Sequence, residues 1–325
     1  MKVCVFGAGA VGGHLAGRLA KGGAEVSVVT RGAHLAAIQA NGLTVEAADG
    51  EIHARVEATD DPKRLGAQDA VVVTVKAPAI ASVADAIGPL LGPATPVAFV
   101  MNGIPWWYFY RHGGALDGRR LPLIDPGDRM WNAVGPERAI GGVAYSACVV
   151  VRPGVVRVEN RNSRVVLGEP DNRRSARVAA LAEPLAAGGI GAEVSERIRD
   201  AIWSKLRLNM VSAPFAVLAQ AAIKDVFVEP PMAEAARRVA AEVVAIAEAM
   251  GCHPAHDANR EAPAHRPMDH KPSLLQDLER GRPMEIDAML GAPLELARLA
   301  GVATPTLDLL VSLVKVRARM AGLYR

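Results

Sequence analysis

The chain opens on an apolar run, Met1–Phe6, that stops abruptly at glycine. Short continuous apolar runs with β-branched content predict strands buried on both faces of a parallel sheet. After the glycines, His14–Lys21 takes up helical spacing, Ala24–Thr30 predicts a second strand, and Ala33–Asn41 predicts a helix stopped by Gly42. Leu43–Glu46 and Glu51–Val56 predict short strands about the turn Asp49-Gly50. Ala70–Val75 predicts a central strand, Ile80–Leu91 a helix, and Pro96–Met101 a strand ending at Asn102-Gly103. This alternation predicts an α/β fold with a Rossmann-like, doubly wound parallel sheet. Ala139–Val151, Gly154–Glu159 and Arg164–Gly168 predict a β-rich antiparallel tail, and Ser175–Ala187 predicts a helix.

From about Arg197 the period changes. Ile198–Met210, Met232–Met250, Pro272–Arg280, Pro283–Ala300 and Thr304–Ala321 carry long helical patterns. Two domains are therefore expected, a Rossmann-like domain over residues 1–196 and a mostly α-helical domain over 197–325. Between the strands lies Ile104–Gly135, which holds Trp106, Trp107, Trp131, Tyr108 and Tyr110. Such a concentration of aromatics suits a pocket wall, a lid or a subunit contact. A packed insertion with its own small core is the reading favoured here.

Composition narrows the classes. Half of the 325 residues are hydrophobic and 22% are charged, enough for a sizeable core. A formal charge of +3 is too small to argue for nucleic acid. Cys4, Cys148 and Cys252 are scattered without metal or redox spacing, as in a cytoplasmic protein with reduced thiols. The amino-terminal strand lacks a signal-peptide pattern, and no uncharged apolar stretch reaches the ~18 residues of a membrane span. His253, His256 and His265 fit no regular metal spacing and are read as loop residues, so no metal is expected.

The first chemistry lies in the first turn. Gly7, Gly9 and Gly12 form G-x-G-x-x-G between a strand and a helix, the context a dinucleotide fingerprint requires. Gly7 would allow a tight turn, Gly9 close approach of a pyrophosphate, and Gly12 close helix packing. The free N–H groups of the helix start, around Ala10 and Val11, would hold the pyrophosphate. The alternative is a glycine-rich βα turn without a ligand. At the end of the second strand an NAD site would place an acid, whereas this chain has Thr30-Arg31. A guanidinium suits a 2′-phosphate, so NADP(H) is expected over NAD, against the alternative of a solvated arginine. Lys76 and Asn102 sit at strand ends, where ligands of such sheets bind or where loops are merely polar.

The helical half adds two stretches. In WSKLRLNMVSAP, Lys205 and Asn209 are i and i+4 and share one helix face, either toward a substrate or as a solvated stripe. In KPSLLQDLERGRPMEID, Glu285 falls in the first turn predicted after Pro283, where the helix dipole favours its ionised form. A surface glutamate at a helix start is the plain alternative.

GAGAVGG, Arg31, VKA with Lys76, NG with Asn102, WSKLRLN, and PSLLQD…EID occur in that order. Together they resemble the ketopantoate reductase (2-dehydropantoate 2-reductase) family over nearly the whole chain. The resemblance implies an NADPH-dependent reduction of a small 2-oxo acid, 2-dehydropantoate to pantoate. It implies Lys205 as general acid and Glu285 as the residue that orients the lysine and binds the product hydroxyl. Asn209 and Ser273 would hold substrate, and Asn102 would bridge substrate and cofactor. Gly7, Gly9, Ala10, Val11, Gly12, Arg31 and Lys76 would serve NADP(H). The family pattern N-x-x-x-N-P is broken here, because Ala213 stands where a second asparagine is usual. A different 2-oxo acid or ketone is therefore an alternative substrate, and a non-catalytic NADP-binding sensor is the alternative from another class. No nucleic-acid or membrane partner is expected, and the long apolar last helix suits a homodimer contact.

Overall fold

The computed structural model describes residues 1–255 and 271–324. His256 and His265 lie outside the described residues. The chain divides into two compact units, Met1–Met101 with Pro105–Ile198, and Asn102–Ile104 with Arg199–Arg325.

The first unit is built on β1 (Lys2–Phe6), whose Val3–Phe6 are all buried. Then follow α1 (Ala10–Lys21), β2 (Glu25–Val29), α2 (Gly32–Asn41), β3 (Leu43–Ala47), β4 (Gly50–Ala54), β5 (Glu57–Thr59) and β6 (Ala70–Val73). They lead to α3 (Ile80–Ala86), β7 (Val97–Val100), α4 (Arg129–Val134), β8 (Ala139–Tyr145), β9 (Cys148–Arg152), β10 (Val155–Val158), β11 (Arg164–Gly168), α5 (Ala176–Ala187) and β12 (Gly191–Val194). The main sheet runs β12-β11-β8-β7-β6-β1-β2-β5. From β5 to β8 every pairing is parallel, whereas β11 runs antiparallel to β8. Strand order reverses at β1, which pairs with β2 on one side and β6 on the other. A doubly wound sheet opens its ligand crevice at such a switch point.

A second sheet, β4-β3-β10-β9, packs on α1. Glycine makes this possible: a Cβ on Gly17 would lie 2.5 Å from Val45 Cγ2, and one on Gly13 would lie 2.8 Å from Val156 Cγ2. The expected single strand Ala139–Val151 is in fact two strands in different sheets. The corner between them is tied by Asn160, whose Oδ1 accepts from Ala147 N at 2.7 Å and whose Nδ2 donates to Tyr145 O at 3.2 Å. The β-rich tail is only partly antiparallel, since β10 pairs in parallel with β3 and β11 with β12. The helix expected over Ile80–Leu91 stops at Ala86 and gives way to a 3-10 turn over Gly88–Leu90. Gly88-Pro89 accounts for the break, because the proline lacks an N–H to continue the ladder. The aromatic stretch is a packed insertion. Trp106, Trp107, Tyr108 and Phe109 are all at most 2% exposed, and Trp106 meets Phe99 edge-on with ring centroids 5.4 Å apart.

The second unit is helical. Its elements are α6 (Ile198–Ala219), α7 (Ile223–Val226), α8 (Pro230–Ala249), α9 (Ser273–Glu279), α10 (Ala292–Ala300) and α11 (Pro305–Met320). The first of these outruns its expected end at Met210 and passes through Pro214. Proline there removes the donor to one carbonyl, but burial of Phe215, Ala216 and Val217 continues the helix. The helix expected from Pro283 starts later, at Ile286, with a π turn over Asp287–Gly291 ahead of α10. In that turn Ala292 N–H donates to Asp287 O, five residues back, just before Pro293 interrupts the donor series. Among the described residues no helix is long and apolar enough to cross a membrane.

Candidate active site

In the first unit, the glycine turn is forced by its neighbours. Gly7 has φ +102°, and a Cβ there would lie 2.6 Å from Val75 Cγ1. Val29 O accepts from Gly7 N at 2.9 Å and from Ala8 N at 3.3 Å, so the turn is pinned to the end of β2. Thr74, just beyond β6, donates from Oγ1 to Gly7 O at 2.8 Å. A Cβ on Gly12 would sit 2.3 Å from both Gly7 O and Thr74 Oγ1. Only glycine lets α1 start this close to the strand ends.

The same turn is open on its other side. Gly9 is exposed, and a Cβ there would meet nothing within 4 Å. Ala10, Val11 and Gly12 form the first turn of α1, where backbone N–H groups precede any intrahelical acceptor. No acid lies in that first turn. Arg31 is exposed at the N-cap of α2, directly after the second strand, and Lys76 is half-buried three residues past β6. The structure thus groups Gly7, Gly9, Ala10, Val11, Gly12, Arg31 and Lys76 along the carboxyl edge of the sheet. Open backbone donors, a cationic rim and a first turn of α1 without an acid fit a phosphorylated dinucleotide.

In the second unit, Asn102–Ile104 is held against the start of the π turn. Ile104 N–H donates to Ala288 O at 2.9 Å. Gly103 has φ +88°, and a Cβ there would lie 2.4 Å from the Ala288 carbonyl. The Asn102 side chain donates from Nδ2 to Glu285 Oε2 at 3.1 Å. Glu285 is 3% exposed. It does not lie in the first helical turn as expected: it stands just before Ile286, and its carbonyl accepts from Met289 N at 3.1 Å. The later start of the helix explains the difference. Lys205 and Asn209 lie one turn apart on α6, both half-buried, and Ser273 is exposed as the first residue of α9. Ala213 is buried, and its neighbour Ser212 donates from Oγ to Leu208 O at 2.9 Å. That hydroxyl is spent within its own helix and does not stand in for an asparagine amide.

Two features escaped the sequence reading. Thr74 shapes the glycine turn, and only its place after an apolar strand hinted at it. The other is a polar chain that runs from the buried face of α1 out to Asp49, whose side chain is partly exposed. His14 is fully buried, and burial followed by the neighbouring Arg18 pushes its ionisation down to about 4. Arg18 donates from Nε to His14 Nε2 at 3.2 Å and forks onto both Asp49 oxygens at 2.6 Å. That fork holds the Asp49 carboxyl down to about 2. Cys148 Sγ lies 3.6 Å from His14 Nδ1. The i, i+4 spacing of His14 and Arg18 was the one visible clue.

A cavity of about 410 Å³, lined in part by Arg111, Glu169, Asp171 and Arg177, involves none of these residues. It lies where β8 begins and β11 ends, the opposite edge of the sheet. Its arginines are already paired, Arg177 with Glu169 and Arg111 with Asp171, each at 2.6 Å.

Fold and turn define a dinucleotide-binding enzyme class, and comparison with known proteins gives the family. The profile of ketopantoate reductase PanE/ApbA matches residues 3–172, and that of its C-terminal part matches residues 197–318. A 2-dehydropantoate 2-reductase from Mesorhizobium japonicum is 44% identical over 327 residues, covering 100% of both chains. A crystal structure from Ralstonia solanacearum MolK2 is 40% identical with a TM-score of 0.90, covering 99% of each chain. At 22% identity and TM-score 0.82, a D-mandelate dehydrogenase structure covers 99% of this chain and 100% of its own, and shares the fold. The chain belongs to the ketopantoate reductase family and is an oxidoreductase.

Proposed function

We propose that this chain reduces 2-dehydropantoate to pantoate with NADPH in the cytoplasm. Residues 1–196 form its NADP-binding domain and residues 197–325 its catalytic domain. The observation that carries the reading is the buried Glu285 carboxylate, held by Asn102, in a chain 44% identical end to end to a 2-dehydropantoate 2-reductase.

The amides of Ala10, Val11 and Gly12 take the pyrophosphate, and Gly7 and Gly9 clear its approach. The Arg31 guanidinium takes the 2′-phosphate, and Lys76 adds positive charge at the same edge. When bound, NADPH supplies the hydride. Negative charge then grows on the substrate oxygen, and the Lys205 ammonium stabilises that charge and delivers the proton. Glu285 orients the lysine and accepts from the product hydroxyl. Asn102 fixes the rotamer of Glu285, while Asn209 and Ser273 hold the substrate.

A second reading rests on Ala213. With this position apolar and Ser212 committed to Leu208 O, one substrate donor of the family is lost. An unsatisfied substrate oxygen costs about 1–3 kcal/mol, so a 2-oxo acid without a group at that point becomes competitive. Steady-state assays with NADPH against 2-dehydropantoate, pyruvate, 2-oxoisovalerate and phenylglyoxylate decide between them. Preference for 2-dehydropantoate in kcat/KM by about tenfold or more is expected; equal or better turnover of a simpler acid transfers the assignment to that acid.

A further inference from the structure

The π turn behind Glu285 is tied down from outside. From Met284 to Leu294 every residue is buried except Asp287, which is half-buried. Asp287 Oδ1 accepts from the Tyr324 hydroxyl at 2.6 Å. Tyr324 lies four residues past α11, in a chain turned back by Leu323 N–H, which donates to Ala318 O at 2.9 Å. The Arg319 guanidinium stands 5.6 Å from its ring centroid and the Lys315 ammonium 5.8 Å. Burial, and then Asp287, push the Tyr324 ionisation up to about 12. The hydroxyl therefore keeps its proton and stays a donor at neutral pH.

Asp287 opens the turn on which the placing of Glu285 depends. Its carbonyl accepts from Ala292 N–H, five residues on, the bond that makes the turn π rather than α. The next residue, Ala288, offers its carbonyl to Ile104 N at 2.9 Å, and Met289 N–H donates to Glu285 O at 3.1 Å. A π turn holds one residue more than the α turn it replaces. Collapse to α geometry would rotate what precedes it by about 100° around the helix axis. The Ala288 carbonyl would then leave Ile104, and Asn102 would lose its aim on Glu285. We propose, building on the catalytic reading of Glu285, that Tyr324 is a positioning residue for it. By gripping the Asp287 carboxylate, Tyr324 holds the turn in its π register and so keeps Glu285 and Asn102 aligned.

A double-mutant cycle on the full chain is the test, read in NADPH-dependent turnover of 2-dehydropantoate and in deuterium exchange of residues 285–292. Tyr324→Phe removes the hydroxyl alone. It is expected to lower kcat by about 3- to 10-fold, the range set by one net hydrogen bond. The KM for NADPH should hold, and exchange at 285–292 should quicken. Asp287→Ala is expected to do the same, and adding Tyr324→Phe to it should cost nothing more. Asp287→Asn keeps an oxygen for the hydroxyl and is expected to retain most of the parent kcat. Should Asp287→Ala fail to fold, Tyr324→Phe and Asp287→Asn still decide. Parent kcat and exchange in Tyr324→Phe, losses that multiply in the double variant, or an Asp287→Asn as impaired as Tyr324→Phe would each overturn the proposal. A parent that reduces no 2-oxo acid removes the catalytic reading of Glu285 instead. Exchange then still judges the clamp: faster exchange in Tyr324→Phe upholds it, and unchanged exchange ends it.

Discussion

The side-chain amide of Asn102 donates to the carboxylate of Glu285 across 3.1 Å, although 183 positions separate the two in the chain. Glu285 is almost wholly buried, and a buried carboxylate is costly unless its oxygens are bonded. The bond is therefore both a structural tie and the means by which the carboxylate is aimed. Glu285→Gln keeps an oxygen for Asn102 and removes only the charge. It is expected to fold normally and lower kcat by about 10²-fold. Lys205→Ala is expected to lower kcat by about 10²- to 10⁴-fold, because the proton donor is gone. NADPH affinity, read by nicotinamide fluorescence, should change little in either variant. Unchanged kcat in Lys205→Ala would remove the general-acid role.

Arg31 is exposed with no acid following the second strand. Arg31→Ala is expected to raise the KM for NADPH and leave that for NADH nearly unchanged. Charge-assisted bonds to a phosphate contribute about 1.5–3 kcal/mol, so preference for NADPH should fall by roughly 10- to 100-fold. Parallel titrations with both nucleotides measure it directly.

Gly12→Ala introduces a methyl group 2.3 Å from Gly7 O and Thr74 Oγ1. No side chain can yield to relieve contact with a backbone oxygen. Overpacking at such a point costs about 1–3 kcal/mol, and it displaces the N–H groups aimed at the phosphates. A lower Tm together with weaker NADPH binding is expected. Gly9→Ala, which meets nothing within 4 Å in the free protein, should keep the parent Tm and weaken only nucleotide binding.

His14 makes stability depend on acid. Its ionisation is depressed from 6.5 to about 4, first by burial and then by Arg18. Below about pH 6.5 the unfolded chain takes up a proton that the folded chain refuses. Stability is therefore fully present above that pH and is lost as pH falls toward 4, by about 3 kcal/mol in all. Thermal melts at pH 7.5 and pH 5 should differ more in the parent than in His14→Gln, which carries no titrating ring. Equal pH dependence would show that His14 does not control acid stability.

What the sequence revealed follows from how local each cause is. The turn from Phe6 to Gly12 is read correctly because strand, glycines and helix start lie within a dozen residues. Their steric reasons, Val75 and Thr74, lie just past the end of the next central strand and leave no mark on the motif itself. The break between β8 and β9 is set by Asn160, which lies past the end of the following hairpin. An apolar run cannot announce that it changes sheets. The start of the helix after Pro283 was misplaced because a π turn has no distinct residue pattern. The strand Gly191–Val194 leaves no clear signal because GAEV is short and has only two side chains, Ala192 and Val194, turned partly inward. A polar chain such as His14–Arg18–Asp49 needs α1 to meet the turn after β3, and sequence shows only the step within the helix.

Asn102, Gly103 and Ile104 are counted with the helical unit although the chain on both sides of them belongs to the other. A cut near position 198 therefore does not yield two self-sufficient pieces. The carboxy-terminal fragment would leave behind the tripeptide that plugs its Ala288 carbonyl and clasps its acidic side chain. Expressed alone it would begin life with a vacant socket, and a short peptide carrying Asn-Gly-Ile would be its natural complement. The first half of the gene thus encodes a part of the second half's interior, which ties their inheritance together as a single piece.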